Sequence, residues 1–144
     1  MVVDDPFLAA FKGAFTGILR WWQLDELWQN VREDADGGWY IYAVGERPPE
    51  TPSSGSQLTR FVDEIDQRLR VDHAEDYCGI VYTDNRSQPT FIKIYNPKNL
   101  GIVCGSSDNP PLPGWMLSKL KPVDLPAALS PPQNRTHWWR RILD

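Results

Sequence analysis

The sequence has few of the residues from which metal centres and thiol enzymes are built. Its 144 residues include only two cysteines and two histidines. No stretch approaches the ~18 consecutive apolar residues of a membrane-spanning helix, and the N-terminus lacks the basic and apolar regions of a secretion signal. We therefore expect a cytoplasmic protein without a membrane partner, in which both cysteines are reduced thiols.

Motifs for nucleotide and nucleic-acid binding are also missing. Neither G-x-x-x-x-G-K-[S/T] nor G-x-G-x-x-G occurs in the chain, and these are the glycine-rich turns that hold phosphate groups. The formal net charge is −4, whereas binding to nucleic acid without sequence preference needs a clustered basic surface. We expect neither a nucleotide nor a nucleic acid as ligand.

What the chain does contain is typical of one folded domain. Hydrophobic residues make up 41% of the sequence and charged residues 24%, and there are seven tryptophans. The charge is unevenly divided, with a net of −9 over residues 1–85 and +5 over residues 86–144. Such a division either brings the two halves together in the fold or presents a basic face to an acidic partner.

The first 31 residues have apolar side chains at helical spacing. Asp5 and Pro6 are typical of a helix start. One helical face carries Phe7, Phe11, Phe15, Ile18 and Trp22, and nearly the opposite face carries Trp21, Leu24, Trp28 and Val31. The pattern predicts a helix that either bends or breaks near residues 20–23 or is covered on two sides.

The middle of the chain predicts a strand and a second helix. Residues 39–44, WYIYAV, are apolar on both faces, which is typical of a central strand. After a loop over residues 46–56, apolar residues recur at helical spacing over residues 56–71. The apolar positions are Leu58, Phe61, Val62, Ile65 and Leu69, and the predicted acidic outer face consists of Asp63, Glu64 and Asp66.

Three further strands are predicted, over residues 77–82, 90–95 and 115–120. The order of elements favours an α+β fold with a mixed or antiparallel sheet of about four strands and helices packed on one face. Prolines are concentrated between residues 110 and 132. We therefore expect a single α+β domain over residues 1–121, followed by a proline-rich arm over residues 122–144 that ends in tryptophan and arginine.

The four possible soft metal ligands do not have the spacing of a zinc site. They are His73, Cys78, Cys104 and His137, and zinc sites usually show paired ligands at short intervals such as C-x2-C. The ordinary alternative places Cys78 as a small apolar residue in its strand, His73 at the end of the second helix and His137 on the surface. We expect no metal and no other cofactor.

Cys104 is the candidate nucleophile of an alternative function. It precedes the turn Gly105-Ser106-Ser107, whose backbone N–H groups are of the kind that stabilises an oxyanion, and His73 or His137 would be the base. No local signature of a catalytic cysteine is present, so catalysis is not the favoured interpretation. The alternative is a small thiol-dependent enzyme or a ligand-binding domain centred on Cys104.

The run FIKIYNPKNLGIVCGSSDNPPLPGWMLS, residues 91–118, resembles a segment of small uncharacterised bacterial proteins of similar length. The resemblance covers about a fifth of the chain. It implies a bacterial domain that stands by itself, and it brings with it no activity, cofactor or site residue.

Two segments have the composition of a protein-docking surface. The run NPPLPGW, residues 109–115, is stiffened by proline and holds Leu112 and Trp115 with little loss of entropy on binding. The run HWWRRI, residues 137–142, combines the residue types that dominate interface hot spots. The candidate partner-binding residues are Leu112, Trp115, Trp138, Trp139, Arg140 and Arg141.

The favoured interpretation is a non-catalytic bacterial accessory or regulatory protein that binds another protein through this loop and the Trp/Arg tail. Two structural alternatives stay open. The loop is a plain crossing with Trp115 pointing inward, or the tail packs back on its own domain. Neither the partner nor the oligomeric state follows from the sequence.

Overall fold

A five-stranded antiparallel sheet forms the centre of the fold. The computed structural model describes residues 5–73, 75–96 and 112–129. In chain order, the elements are α1 (Pro6–Phe11), β1 (Thr16–Arg20), α2 (Trp21–Glu33), β2 (Tyr40–Ala43), α3 (Gly55–Asp72), β3 (Tyr77–Thr83), β4 (Phe91–Ile94), β5 (Trp115–Ser118) and α4 (Leu125–Ala128). The strands lie in the order β1-β3-β4-β5-β2. The predicted α+β single domain is confirmed, and of the two predicted sheet types the antiparallel one forms, with one strand more than expected. The prediction that helices pack on one face holds for α2 and α3, whereas α1 and α4 lie on the other face.

The two faces of the sheet are covered by different elements. The long helices α2 and α3 pack on one face and build the larger apolar core with Ile80, Ile92 and Leu117 of the sheet. The other face carries a smaller core, to which the short helices α1 and α4 contribute one fully buried residue each. That core consists of Phe7, Tyr42, Phe91, Met116 and Leu125. Antiparallel strands expose alternate residues on opposite faces, which explains how one sheet supports both cores.

The helix predicted over the first 31 residues, with a possible break near residues 20–23, is wrong between residues 16 and 20, where a strand forms and after which α2 begins at Trp21. α1 ends at Phe11, and the strand β1 pairs with β3, with Ile18 opposite Val81. Gly17 lies against the ring of Tyr82, where a Cβ atom would come 3.0 Å from the ring. The pairing with a distant strand therefore overrides the helical spacing of the phenylalanines, and Trp22 lies exposed at the start of α2.

The strand predicted over residues 39–44 forms, but its predicted central position is wrong. β2 is an edge strand that pairs with β5 alone among the described strands. Both faces of β2 are apolar because Tyr42 contributes to the smaller core and Ile41 packs against the larger one. The following loop returns to this edge, since the N–H and the hydroxyl of Ser53 both donate to the carbonyl of Trp39.

α3 begins with a reciprocal cap and ends next to β3. The hydroxyl of Ser54 accepts from the N–H of Gln57, and the side chain of Gln57 accepts from the N–H of Ser54, which satisfies two donors at the helix start. His73 follows as the C-cap residue. The predicted apolar stripe is confirmed, with Leu58, Val62, Ile65 and Leu69 buried and Phe61 half-buried.

The predicted outer acidic face of α3 is correct for Asp63 and Glu64 and wrong for Asp66. Asp63 and Glu64 are exposed. Asp66 instead lies half-buried and accepts hydrogen bonds from Trp28 and Arg70. The helical period places Asp66 at the border that meets α2, where a carboxylate needs partners when it is withdrawn from water.

The first residues of the predicted C-terminal arm lie on the smaller core. Leu125 is fully buried, and its N–H donates to the hydroxyl of Tyr42 at 3.1 Å. The carboxylate of Asp124 caps the short helix α4. Residues 130–144 lie outside the described residues. Within the ranges that the structure describes, no helix combines the length and the apolarity needed to span a bilayer.

Candidate functional site

A groove runs between α3 and the ends of β4 and β5. Its outer part has a volume of about 850 Å³, and an inner part of about 250 Å³ reaches Ile94 and Tyr95. Trp115 lines both parts. The rings of Trp115 and Phe61 lie 5.0 Å apart with an angle of 54° between their planes. The groove therefore has an aromatic wall that is partly open to solvent.

The position of Trp115 follows from strand pairing. Trp115 is the first residue of β5 and lies opposite Ile94 of β4 and Ala43 of β2. The N–H of Gly114 donates to the carbonyl of Ile94 at 2.9 Å, which continues the β4–β5 ladder one residue beyond the strand. Directly opposed residues share one face of a sheet. The indole is therefore held on the side where α3 packs.

Charged side chains of α3 line the same groove. Glu64, Arg68 and Asp72 follow at intervals of four residues and are exposed. At this spacing, opposite charges are neighbours on a helix. Among the described residues, none of the three forms an ion pair. The groove thus combines an apolar wall with charges of both signs.

The two loop residues singled out by the sequence do not share a surface. Trp115 packs against the larger core and lines the groove. Leu112 packs against the smaller core on the opposite face of the sheet. The stretch from Leu112 to Trp115 therefore crosses from one face to the other, and only its second anchor lies in the groove.

The remaining residues of the predicted docking surface lie outside the described residues. These are Trp138, Trp139, Arg140 and Arg141 of the tail, and the same holds for Cys104 and His137. The interpretations built on them stay predictions. The thiol-dependent alternative is likewise untested at Cys104.

His73, the other residue of that alternative, is buried at the end of α3. Its exposed fraction is 6%, and its ring lies 6.1 Å from the ring of Trp21 and 5.7 Å from that of Tyr77. Its Nε2 atom has no hydrogen-bond partner among the described residues. The predicted placement of His73 at the C-terminal end of the helix is confirmed, and its surroundings are aromatic.

Cys78 is a buried free thiol, as the structural alternative to a metal ligand predicted. Burial raises the pKa of the Cys78 thiol, which disfavours the thiolate that nucleophilic chemistry requires. In the part of the chain that the structure describes, no group of three or more His, Cys, Asp or Glu side chains is arranged to hold a metal ion.

Lys93 has an unusual environment that sequence reasoning missed. Its Nζ donates to the carbonyl of Phe11 at 2.9 Å and lies 3.9 Å and 4.1 Å from the ring centroids of Phe15 and Phe11. Burial lowers the pKa of Lys93 to about 8. The only signal in the sequence is a single lysine within the apolar strand FIKI. Its partners come from a segment about 80 residues earlier.

Comparison with known proteins adds no further information on the site. Neither a family model nor a curated protein nor a solved structure matches this chain.

Proposed function

We propose that this chain is a non-catalytic accessory or regulatory protein that acts by binding another protein chain. The bound chain lies in the groove between α3 and the ends of β4 and β5, with Trp115 as the anchor. The Trp/Arg tail, with Trp138, Trp139, Arg140 and Arg141, is the second contact element of this proposal. A cytoplasmic location belongs to the same proposal.

The observation that carries the proposal is the placement of Trp115. A tryptophan that packs against Phe61 while part of its surface faces a groove has the features of an interface anchor. Tryptophan and arginine are enriched among residues whose truncation weakens binding most. Arg68 lines the same groove beside Trp115. The two residue types thus lie together on an open surface.

The charges of the groove favour a protein over a small apolar ligand. Protein-binding surfaces usually combine an apolar centre with a polar rim, and here Glu64, Arg68 and Asp72 border the aromatic wall. A polypeptide can place an apolar side chain against Trp115 and polar groups against the charges at the same time. This arrangement resembles the groove-binding mode in which a helix or extended segment contributes spaced anchors.

Capture experiments with a tagged full-length chain test the proposal. Proteins that co-purify from the native host with the wild type are quantified for Trp115→Ala, for Arg68→Ala and for a chain that ends at residue 133. We expect the same partner to be lost with the truncated chain and with Trp115→Ala, and to be reduced with Arg68→Ala, because each change removes a contact residue.

Trp22→Ala is the matched control, because it removes an equally large indole that is 58% exposed at the start of α2. It should retain the partner. Arg68 is exposed, so Arg68→Ala separates loss of binding from loss of folding, whereas Trp115→Ala also removes packing on Phe61. Equal retention of the partner by all the variants would refute the groove as the binding surface.

A further inference from the structure

The outer face of α3 carries a row of four charged residues at intervals of four. Arg60, Glu64, Arg68 and Asp72 alternate in sign along the helix, and all four are exposed. Opposite charges at this spacing are placed to pair along a helix. No ion pair forms between any two members of the row. The row therefore presents alternating, separate charges to whatever lies against it.

A row of alternating charges is complementary to its own reversed copy. When two α3 helices lie antiparallel with these rows side by side, Arg60 meets Asp72 of the second copy and Glu64 meets Arg68 of the second copy. A two-fold axis produces each contact twice. Side chains four residues apart form the ridges along which helices most often pack. Charge pattern and helix geometry thus favour the same symmetric arrangement.

We infer that the face of α3 that carries this row binds α3 of a second copy of this chain, forming an antiparallel dimer with two-fold symmetry. Glu64, Arg68 and Asp72 of the row line the groove, whereas Arg60 lines a separate cavity beside Asp63. Val71 supplies apolar surface, because it is 73% exposed and lines the groove together with Phe61 and Trp115. Exposed ion pairs alone contribute little to affinity. In this dimer, burial of the apolar surface drives association, and the charge row sets the register and the antiparallel orientation.

This inference rests on the proposed function, since it names the protein chain that occupies the same groove. The dimer and the proposed function are tested by different measurements. Self-association is a property of the pure chain, whereas the proposed function is tested by capture from a cell extract. The two can therefore fail separately.

The experiment measures the mass of the purified full-length chain by sedimentation equilibrium over a range of concentrations at low salt. We expect twice the chain mass of 16.5 kDa. Arg68→Glu places a second carboxylate against Glu64 of the other copy, so the dimer dissociation constant should rise roughly tenfold or more. The double variant E64R/R68E exchanges the charges, keeps them complementary and should restore the dimer.

Arg86→Glu is the matched control, because it makes the same charge change at an exposed position of the turn between β3 and β4. It should remain dimeric. Added salt should weaken the wild-type dimer, because exposed charges are screened. Circular dichroism confirms that each variant is folded.

Three results would overturn the inference: a wild type that keeps the single-chain mass at every concentration, an unchanged dimer in Arg68→Glu, or a folded E64R/R68E that stays monomeric. A monomeric wild type whose partner capture depends on Trp115 would refute the dimer and leave the proposed function standing. A dimer that is weakened by Arg68→Glu, together with partner capture that is unchanged by Trp115→Ala, would support the dimer and refute the proposed function.

Discussion

The indole Nε1 of Trp28 in α2 donates to the Oδ1 of Asp66 in α3 at 3.1 Å. The same carboxylate accepts from the Nε of Arg70, and Arg70 also pairs with Asp25 of α2 at 2.6 Å. Trp28 is almost fully buried, so its N–H depends on this acceptor. These contacts join the two helices that cover the sheet.

Asp66→Ala should lower the free energy of unfolding by ~1–3 kcal/mol, the usual cost of leaving a buried donor without a partner. Urea unfolding monitored by tryptophan fluorescence measures this change. Asp63→Ala is the control, because Asp63 pairs with Arg32 on the surface of the same helix with a 61% exposed side chain. Loss of such an exposed pair should cost at most ~1 kcal/mol. Equal effects of the two variants would contradict a structural role for the Trp28–Asp66 bond.

The contrast between α3 and β1 explains how much of the fold follows from the sequence. α3 is predictable because its capping residues and its apolar period agree with each other. β1 is not predictable, because Phe7, Phe11 and Phe15, which precede it, repeat at a helical spacing that Ile18 continues. Its partner β3 lies about 60 residues later, and pairing over such distances leaves no local signal in the sequence.

The candidate site is predictable only in part for a similar reason. Trp115 stands out in the sequence because proline and glycine surround a large aromatic residue. The groove, however, exists only where Trp115 meets Phe61 and Arg68 of α3, about 50 residues earlier. On sequence alone, Glu64 and Arg68 at helical spacing are typical of an ordinary solvated helix face.

Packing of α3 on the sheet predicts a large effect for Ile65→Ala. Ile65 is 7% exposed and belongs to the larger core, so truncation leaves a cavity and should cost ~2–5 kcal/mol. Phe61→Ala should cost less, because Phe61 is only half-buried beside the groove. Thermal and urea unfolding of both variants check the order. A melting shift of a degree or two for Ile65→Ala would show that α3 is peripheral to the core.

Lys93 gives the protein a specific dependence of stability on pH. Burial lowers the pKa of Lys93 in the folded protein to about 8, from the ordinary lysine value of 10.5. Between these two pH values, the unfolded chain binds the proton that the folded protein has released. The free energy of unfolding contributed by this group therefore rises with pH over that interval.

The difference between the wild type and Lys93→Met isolates this contribution, because methionine keeps a long apolar side chain and does not titrate. Burial raises the pKa of Cys78, Tyr42 and Tyr95, and these groups lower stability as pH rises, but they are present in both proteins. Urea unfolding at pH 7 and at pH 9.5 should show the wild type gaining stability relative to Lys93→Met. Parallel curves would mean that Lys93 titrates as in the unfolded chain.

We expect the hydroxyl of Tyr42 to help hold the segment around Leu125 on the smaller core, because it accepts the hydrogen bond of the Leu125 N–H. Tyr42→Phe keeps the ring, which packs against Phe7 with a centroid distance of 6.3 Å, but removes the acceptor of the buried N–H of Leu125. We expect a loss of ~1–3 kcal/mol and faster hydrogen exchange at the Leu125 amide, because the bond that protects it is gone.

Tyr40→Phe serves as the control for this change. It removes a hydroxyl from a half-buried tyrosine of the same strand, and that hydroxyl bonds to no other described residue. Stability and the exchange rate at Leu125 should stay close to the wild type. If Tyr42→Phe also leaves the exchange rate unchanged, apolar burial of the Leu125 side chain alone holds α4 in place, and the hydrogen bond adds nothing to its attachment.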